Sequence, residues 1–292
     1  MNAKQHDTKA LQDLDKQHYM HPFTDSKAMH KKGTRIITGA DGCYIYDSEG
    51  GKVLDGMAGL WCVAIGYGRH ELADVAAQQM RELPYYNSFF GTAHPPVIKL
   101  AAQLKKLAPA HISHVFFTGS GSESNDTNVR LVRHYWQAKG QPKKRTIISR
   151  YNAYHGSTMA AMSLGGMKGM HDQGGIIDGI EHIMQPHWYH ETLVGESEED
   201  FGLRAAQALE TKILEVGADH VGAFIGEPVQ GAGAVIVPPA SYWPEIQRIC
   251  KKYDILLIAD EVITGFGRTG NWFASETLGI EADLMTIAKG LS

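Results

Sequence analysis

The chain is short of several things, and each shortage removes a class of protein. Cysteine is scarce: Cys43, Cys62 and Cys250 are odd in number, widely spaced and form no Cys-x-x-Cys pair. That excludes a disulfide framework and fits a reduced intracellular compartment. No apolar run approaches the roughly 18 residues of a membrane span. The first 20 residues are polar, with Asp7, Lys9, Asp13, Asp15 and Lys16, and do not resemble a signal peptide. These absences predict a cytoplasmic protein with no membrane partner. Formal charge is only −4, with no long lysine or arginine stretch, so nucleic acid is not expected and a small-molecule partner is. Internal repeats and low-complexity tracts are missing too. With 292 residues, 43% hydrophobic and 21% charged, the chain has the length and composition to bury a large core.

What is present is a series of short apolar runs. Ile255 to Ala259 leads into Asp260 and Glu261, and Leu284 to Ala288 leads into Lys289, which lies 29 residues beyond Asp260. Apolar runs of about five residues, bounded by polar or glycine-bearing stretches, read as buried strands of a parallel sheet. About 30 residues is the length of one strand, helix, strand crossover. Further strands are expected at Val115 to Thr118, Thr146 to Ser149 and Val221 to Ile225, separated by helices at Glu123 to Ala138, Phe201 to Val216 and Tyr242 to Tyr253. The alternation predicts an α/β fold with a mostly parallel central sheet covered by helices. Two helical periods, through Leu72, Val75, Ala76, Gln79 and Leu83 and through Val97, Leu100, Ala101, Leu104 and Ala108, predict amphipathic covering helices. Residues 44–55 read as a hairpin around Gly50 and Gly51. The expected domains are residues 1–65, an N-terminal arm with part of a small α+β domain, and residues 66–292, a large ligand-binding domain. Residues 165–195, rich in glycine, proline and histidine, are expected to form a long loop.

Candidate site residues gather at the carboxyl ends of the predicted strands, where open α/β sheets bind ligands. Phe116 and Phe117 run through Thr118, Gly119, Ser120, Gly121 and Ser122 into a helix, and free N–H groups at such a start can hold a phosphate. A serine-capped helix after a flexible turn accounts for that stretch equally well. Tyr154 and His155 follow one strand, and Glu227 ends another, 33 residues before Asp260. An amine and an acid at neighbouring strand ends suit pyridoxal phosphate: the lysine holds the aldehyde while the acid keeps the pyridine nitrogen protonated. Taken alone, Asp260 and Lys289 read more readily as a structural ion pair. The histidine pairs 187/190 and 111/114 lack cysteines or a third ligand at established spacing, so no metal is predicted.

Five motifs in order, residues 118–124, 154–158, 226–233, 259–270 and 288–292, resemble the class III aminotransferases. His21 to Asp25 and Met57 to Val63 are similar to the ω-transaminases that use pyruvate as acceptor, the putrescine and spermidine group. The resemblance implies the type I fold of pyridoxal-phosphate enzymes. Lys289 is then the cofactor-bearing and proton-carrying lysine, and Asp260 the acid at the ring nitrogen. Tyr154 and Val262 lie on opposite ring faces, Ser120, Gly121 and Ser122 form the phosphate cup, and Glu227 orients the surroundings of Asp260 and His155. Phe23, Trp61, Phe89, Tyr154 and Ala232 line the substrate pocket. The implied reaction moves the amino group of a primary amine, diamine or ω-amino acid to pyruvate or a similar keto acid, in a homodimer or dimer of dimers. Members continue beyond the lysine into a C-terminal small domain, so this chain reads as truncated after Lys289. An aminomutase on the same fold and a catalytically silent chain remain as alternatives.

Overall fold

The computed structural model describes residues 6–291. Ser292, the last residue of the final motif, lies outside them. Contacts divide the chain into two compact units, Met1–Tyr86 and Asn87–Ser292. Residues 66–86, placed by sequence with the large domain, group here with the first unit.

In the first unit, β1 (Ile37–Asp41), β2 (Tyr44–Asp47) and β3 (Lys52–Leu54) form an antiparallel sheet in the order β1-β2-β3. The hairpin is the expected one, and its turn is tied by Asp47, whose Oδ1 accepts from the N–H groups of Glu49 (3.1 Å) and Gly51 (2.7 Å). Gly50 takes φ 86°, a left-handed conformation that glycine adopts without strain. Helices Thr8–His18 and Ser26–Lys32 start on aspartate caps, Asp7 and Asp25. The periodic segment at 70–83 forms a helix, His70–Glu82, but its apolar side stays exposed within the unit, with Leu72 and Val75 both on the surface.

The second unit carries the large sheet: β4 (Thr146–Arg150), β5 (Ile180–Ile183), β6 (Val221–Gly226), β7 (Leu256–Asp260) and β8 (Leu284–Thr286), in the order β5-β4-β6-β7-β8. Every pairing is parallel. Alternate residues of the strands feed two separate cores. Ile148, Phe224 and Leu257 pack with Phe201, Leu209, Ile213, Tyr242, Trp243 and Ile246 of the helices Glu198–Val216 and Tyr242–Lys252. Ile147, Ile225 and Ile258 pack with Val129, Val132 and Trp136 of the helix Gly121–Ala138. Both faces are covered, which is why the strands are continuously apolar rather than alternating.

Three expectations need correction. Val115 to Thr118 is not a strand, because no described strand pairs with its backbone; it instead lines, with β8, a cavity of about 490 Å³. Residues 165–195 are not one long loop: they contain β5, which pairs with β4 from Ile147/Ile180 to Arg150/Ile183, and two one-turn helices, Lys168–His171 and Trp188–Glu191. The last strand stops at Thr286, short of Ala288, since the chain turns into a 3-10 segment at Lys289–Leu291.

Candidate active site

The carboxyl ends of β6, β7 and β8 lie side by side. Gly226 pairs with Ala259 and Asp260 with Thr286, so Glu227, Asp260 and the turn bearing Lys289 leave the sheet at one edge. Lys289 has φ 49°, a left-handed conformation that costs a non-glycine residue energy and recurs at functional positions.

Asp260 is 3% exposed, and its carboxylate is held by three protein donors. Oδ2 accepts from His155 Nδ1 at 2.7 Å and from Asn125 Nδ2 at 2.9 Å, and Oδ1 accepts from the Val262 N–H at 3.1 Å. A carboxylate has about four acceptor positions. Among the described residues Oδ2 is therefore full, and Oδ1 keeps one position. Because the carboxylate only accepts, the His155 proton sits on Nδ1; its Nε2 is buried and has no partner among the described residues.

Glu227 is buried beside this pair. Its Oε1 accepts from the Tyr154 N–H (3.1 Å) and its Oε2 from the Gly231 N–H (2.8 Å), so it fixes the backbone of the residue expected on the ring face. Burial pushes the Glu227 carboxyl above its ordinary value; His155 and Arg150 oppose that shift and Asp260 adds to it. Arg150, at the end of β4, lies 5.9 and 5.5 Å from the ring centroids of Tyr242 and Trp243, and its Nη2 donates to the Glu227 carbonyl at 2.6 Å. Half-buried Tyr154 has its phenol pKa raised by burial, partly offset by Ser157.

The helix Gly121–Ala138 begins at the same edge. Ser120 caps it, Oγ accepting from the Glu123 N–H at 3.2 Å, while the Glu123 carboxylate accepts from the Gly119 N–H at 2.6 Å. The N–H groups of Gly121 and Ser122 have no intrahelical acceptor by their position, and the helix dipole stands behind them. Ser122 Oγ accepts from the Ser157 N–H (3.1 Å), tying the segment after Tyr154 and His155 to the helix start. A side chain on Gly121 would meet Val262 Cγ2 at 3.0 Å and Ala288 Cβ at 3.7 Å. The helix start thus packs closely on Val262, two residues after the acid, and on Ala288, one before the lysine.

Of the expected site residues, the structure brings together Ser120, Gly121, Ser122, Tyr154, His155, Glu227, Asp260, Val262 and the Lys289 turn. Phe89 and Ala232 belong to the same unit and are exposed; Phe23, also exposed, and the partly buried Trp61 belong to the first unit. Sequence reading missed Asn125 as a partner of Asp260, and missed Asn128, Thr286 and Arg150 entirely. A signal existed for the two asparagines: they share a stripe with Val129, Val132 and Trp136 on the buried helix face, where a polar side chain needs a partner. No cluster of three or more His, Cys, Asp or Glu placed to hold a metal ion occurs among the described residues.

Residues 26–292 match the aminotransferase class-III family. The whole chain is 61% identical to the putrescine–pyruvate aminotransferase of Pseudomonas aeruginosa and covers 63% of its length. Over 88% of the chain it is 46% identical to the diaminobutyrate–2-oxoglutarate transaminase of Halomonas elongata, covering 56% of that protein. Among solved structures, the ω-transaminase from Pseudomonas jessenii in complex with PMP superposes with a TM-score of 0.95 at 47% identity, over 97% of this chain and 62% of that one. A thermostable (S)-enantioselective ω-transaminase from Thermomicrobium roseum gives 0.95 at 43% identity, over 98% and 64%. The chain therefore spans between 56% and 64% of the length of these relatives.

Proposed function

Because the chain belongs to the class-III aminotransferases, we propose that it takes part in transferring the amino group of a primary amine, diamine or ω-amino acid to pyruvate or a similar keto acid, with pyridoxal phosphate as cofactor. The carrying observation is the Asp260 carboxylate, buried, held by three donors and left with one acceptor position on Oδ1. That is the acceptor a protonated pyridine nitrogen requires. The N–H groups of Gly121 and Ser122 at the helix start suit the phosphate end of the same molecule.

Pyridoxal phosphate, when bound, supplies an electrophilic aldehyde and a ring that takes up the electron pair released at the substrate carbon. The chain's residues do the rest. Lys289 would hold the aldehyde end through Nζ and would carry the proton to and from the substrate carbon. Asp260 holds the proton on the ring nitrogen, and His155 and Asn125 hold Asp260. Glu227 fixes Tyr154 through its N–H, so that the aromatic ring and Val262 can flank a planar group. Ser120, Gly121 and Ser122 present the helix start to the phosphate.

Phe89, Tyr154 and Ala232 are the residues of the second unit that the family resemblance assigns to the amine pocket, and putrescine is the donor we infer, in keeping with the relative at 61% identity. We further propose a homodimer or larger, which the exposed Phe89, Phe90 and Phe116 support, and a cytoplasmic location, which the free, exposed Cys43 and Cys62 support. No described helix is long and apolar enough to cross a membrane.

The test is a Lys289→Ala substitution followed by visible absorbance after addition of pyridoxal phosphate. Loss of the band seen in the parent protein is expected, and an unchanged band refutes the assignment. Alanine formed from pyruvate and putrescine marks the transfer, whereas turnover without a keto acid would mark a mutase.

A further inference from the structure

Behind Asp260 stand three buried neutral side chains: Asn125, Asn128 and Thr286. The carbonyl of His155 can only accept a hydrogen bond, so Asn125 turns its Nδ2 toward it, at 2.8 Å, and with the same nitrogen reaches Asp260 Oδ2 at 2.9 Å. Asn125 Oδ1 then faces the other way and takes the proton of the Thr286 hydroxyl at 2.7 Å. Thr286 Oγ1 in turn accepts from Asn128 Nδ2 at 2.8 Å. Each assignment forces the next, giving a relay with one direction that ends on the carboxylate.

Thr286 is the member whose removal frees the rest. Without its hydroxyl, Asn125 Oδ1 retains only the long 3.4 Å contact from Asn128. His155 and Asp260 still demand Nδ2, so the amide keeps its orientation, but its buried oxygen is left short of a donor and the side chain that holds Asp260 is no longer anchored at that end. Thr286 is also the residue paired with Asp260 across β7 and β8, and it stands three positions before Lys289. One hydroxyl therefore connects the strand that leads to the lysine, the helix that starts at the phosphate cradle, and the acid.

Resting on the pyridoxal-phosphate reading above, we propose that Thr286 is a positioning residue: through Asn125, its hydroxyl locks the amide that holds the Asp260 carboxylate in place for the ring nitrogen. Thr286→Val keeps the shape and deletes the hydroxyl, and Thr286→Ser keeps the hydroxyl. In protein loaded with pyridoxal phosphate, T286V is expected to move the pH midpoint of the visible band by about one unit and to release cofactor roughly tenfold faster, while T286S returns both to the parent values. In cofactor-free protein, nitrogen NMR of the His155 ring is expected to change in T286V and not in T286S. A T286V protein that melts earlier yet keeps the parent midpoint and the parent His155 signals would show that Thr286 only packs, and the proposal falls. Should T286V fail to fold, Thr286→Ala carries the same expectation and the same refutation. A parent protein with no visible band overturns the cofactor reading and this relay together, whereas a band indifferent to Thr286 overturns the relay alone.

Discussion

Asp260 and Glu261 are consecutive, both carboxylates are buried, and they serve opposite ends because of how many donors reach them. Glu261 receives four: the N–H and Oγ of Ser275 on Oε1, both at 2.6 Å, and Thr264 Oγ1 at 2.5 Å with the Ala274 N–H at 3.1 Å on Oε2. Its backbone is fastened as well, the N–H to the Thr286 carbonyl and the carbonyl to the Gly265 N–H, both at 2.9 Å. Every acceptor is filled by the protein, so Glu261 staples the start of the helix Ala274–Leu278 to the sheet edge. Asp260 receives three donors and keeps a position open. A saturated buried acid builds structure; one held firmly but incompletely is available to a ligand.

Substitutions that neutralise one acid at a time should separate the two jobs. The largest effect is expected from Asp260→Asn, which should lower kcat roughly 10²–10³-fold with a smaller loss in the denaturant midpoint than at the four-donor site, measured by steady-state rates beside urea titration. Glu261→Gln should do the reverse: an amide nitrogen set among four donors is expected to cost about 3 kcal/mol of stability, seen in denaturant unfolding, while the visible cofactor band persists. A band lost in E261Q but kept in D260N would invert the comparison.

Glu227 provides a third acid of intermediate kind, with both oxygens engaged by backbone N–H groups and its carboxyl raised by burial. Above the ordinary carboxylate value the unfolded chain releases this proton while the folded chain still binds it. Stability is therefore expected to fall as pH rises from the ordinary value through the raised one, and Glu227→Gln should flatten that part of the profile. Thermal melts across the acid range would check it, and an identical slope in both proteins would count against a raised Glu227. The smallest effect is expected from Ser275→Ala, which removes a single donor from Glu261. It should cost about 1 kcal/mol and leave the cofactor spectrum untouched.

Much of the frame was legible in the chain because buried parallel strands announce themselves as unbroken apolar runs. Four of the five strands of the large sheet were read from such runs, and Asp260 and Glu227 were found because they terminate two of them. The fifth, β5, escaped because its two middle residues are Glu181 and His182, an edge-strand pattern inside a glycine-rich stretch. Val115 to Thr118 shows the opposite error, since an apolar run becomes a strand only when another backbone pairs with it. The relay behind Asp260 was hidden for a different reason. Thr286 and Asn125 are 161 residues apart in sequence and meet only after the crossovers have closed, and no local pattern records a hydrogen bond across that separation. For the same reason the sequence could not say which of the two adjacent acids would be left with an open oxygen.

The crowding at Gly121 has a consequence for how this region can vary. Val262 presses on that glycine with a side-chain methyl, and the same residue's amide is, among the described residues, the one grip on the unsaturated oxygen of Asp260. Adding even a methyl group at position 121 would force Val262 aside by a few tenths of an ångström, so an alteration made at the anion-holding end would be felt at the opposite end of a bound molecule. The two ends cannot be tuned separately, and drift at either one is policed by the other.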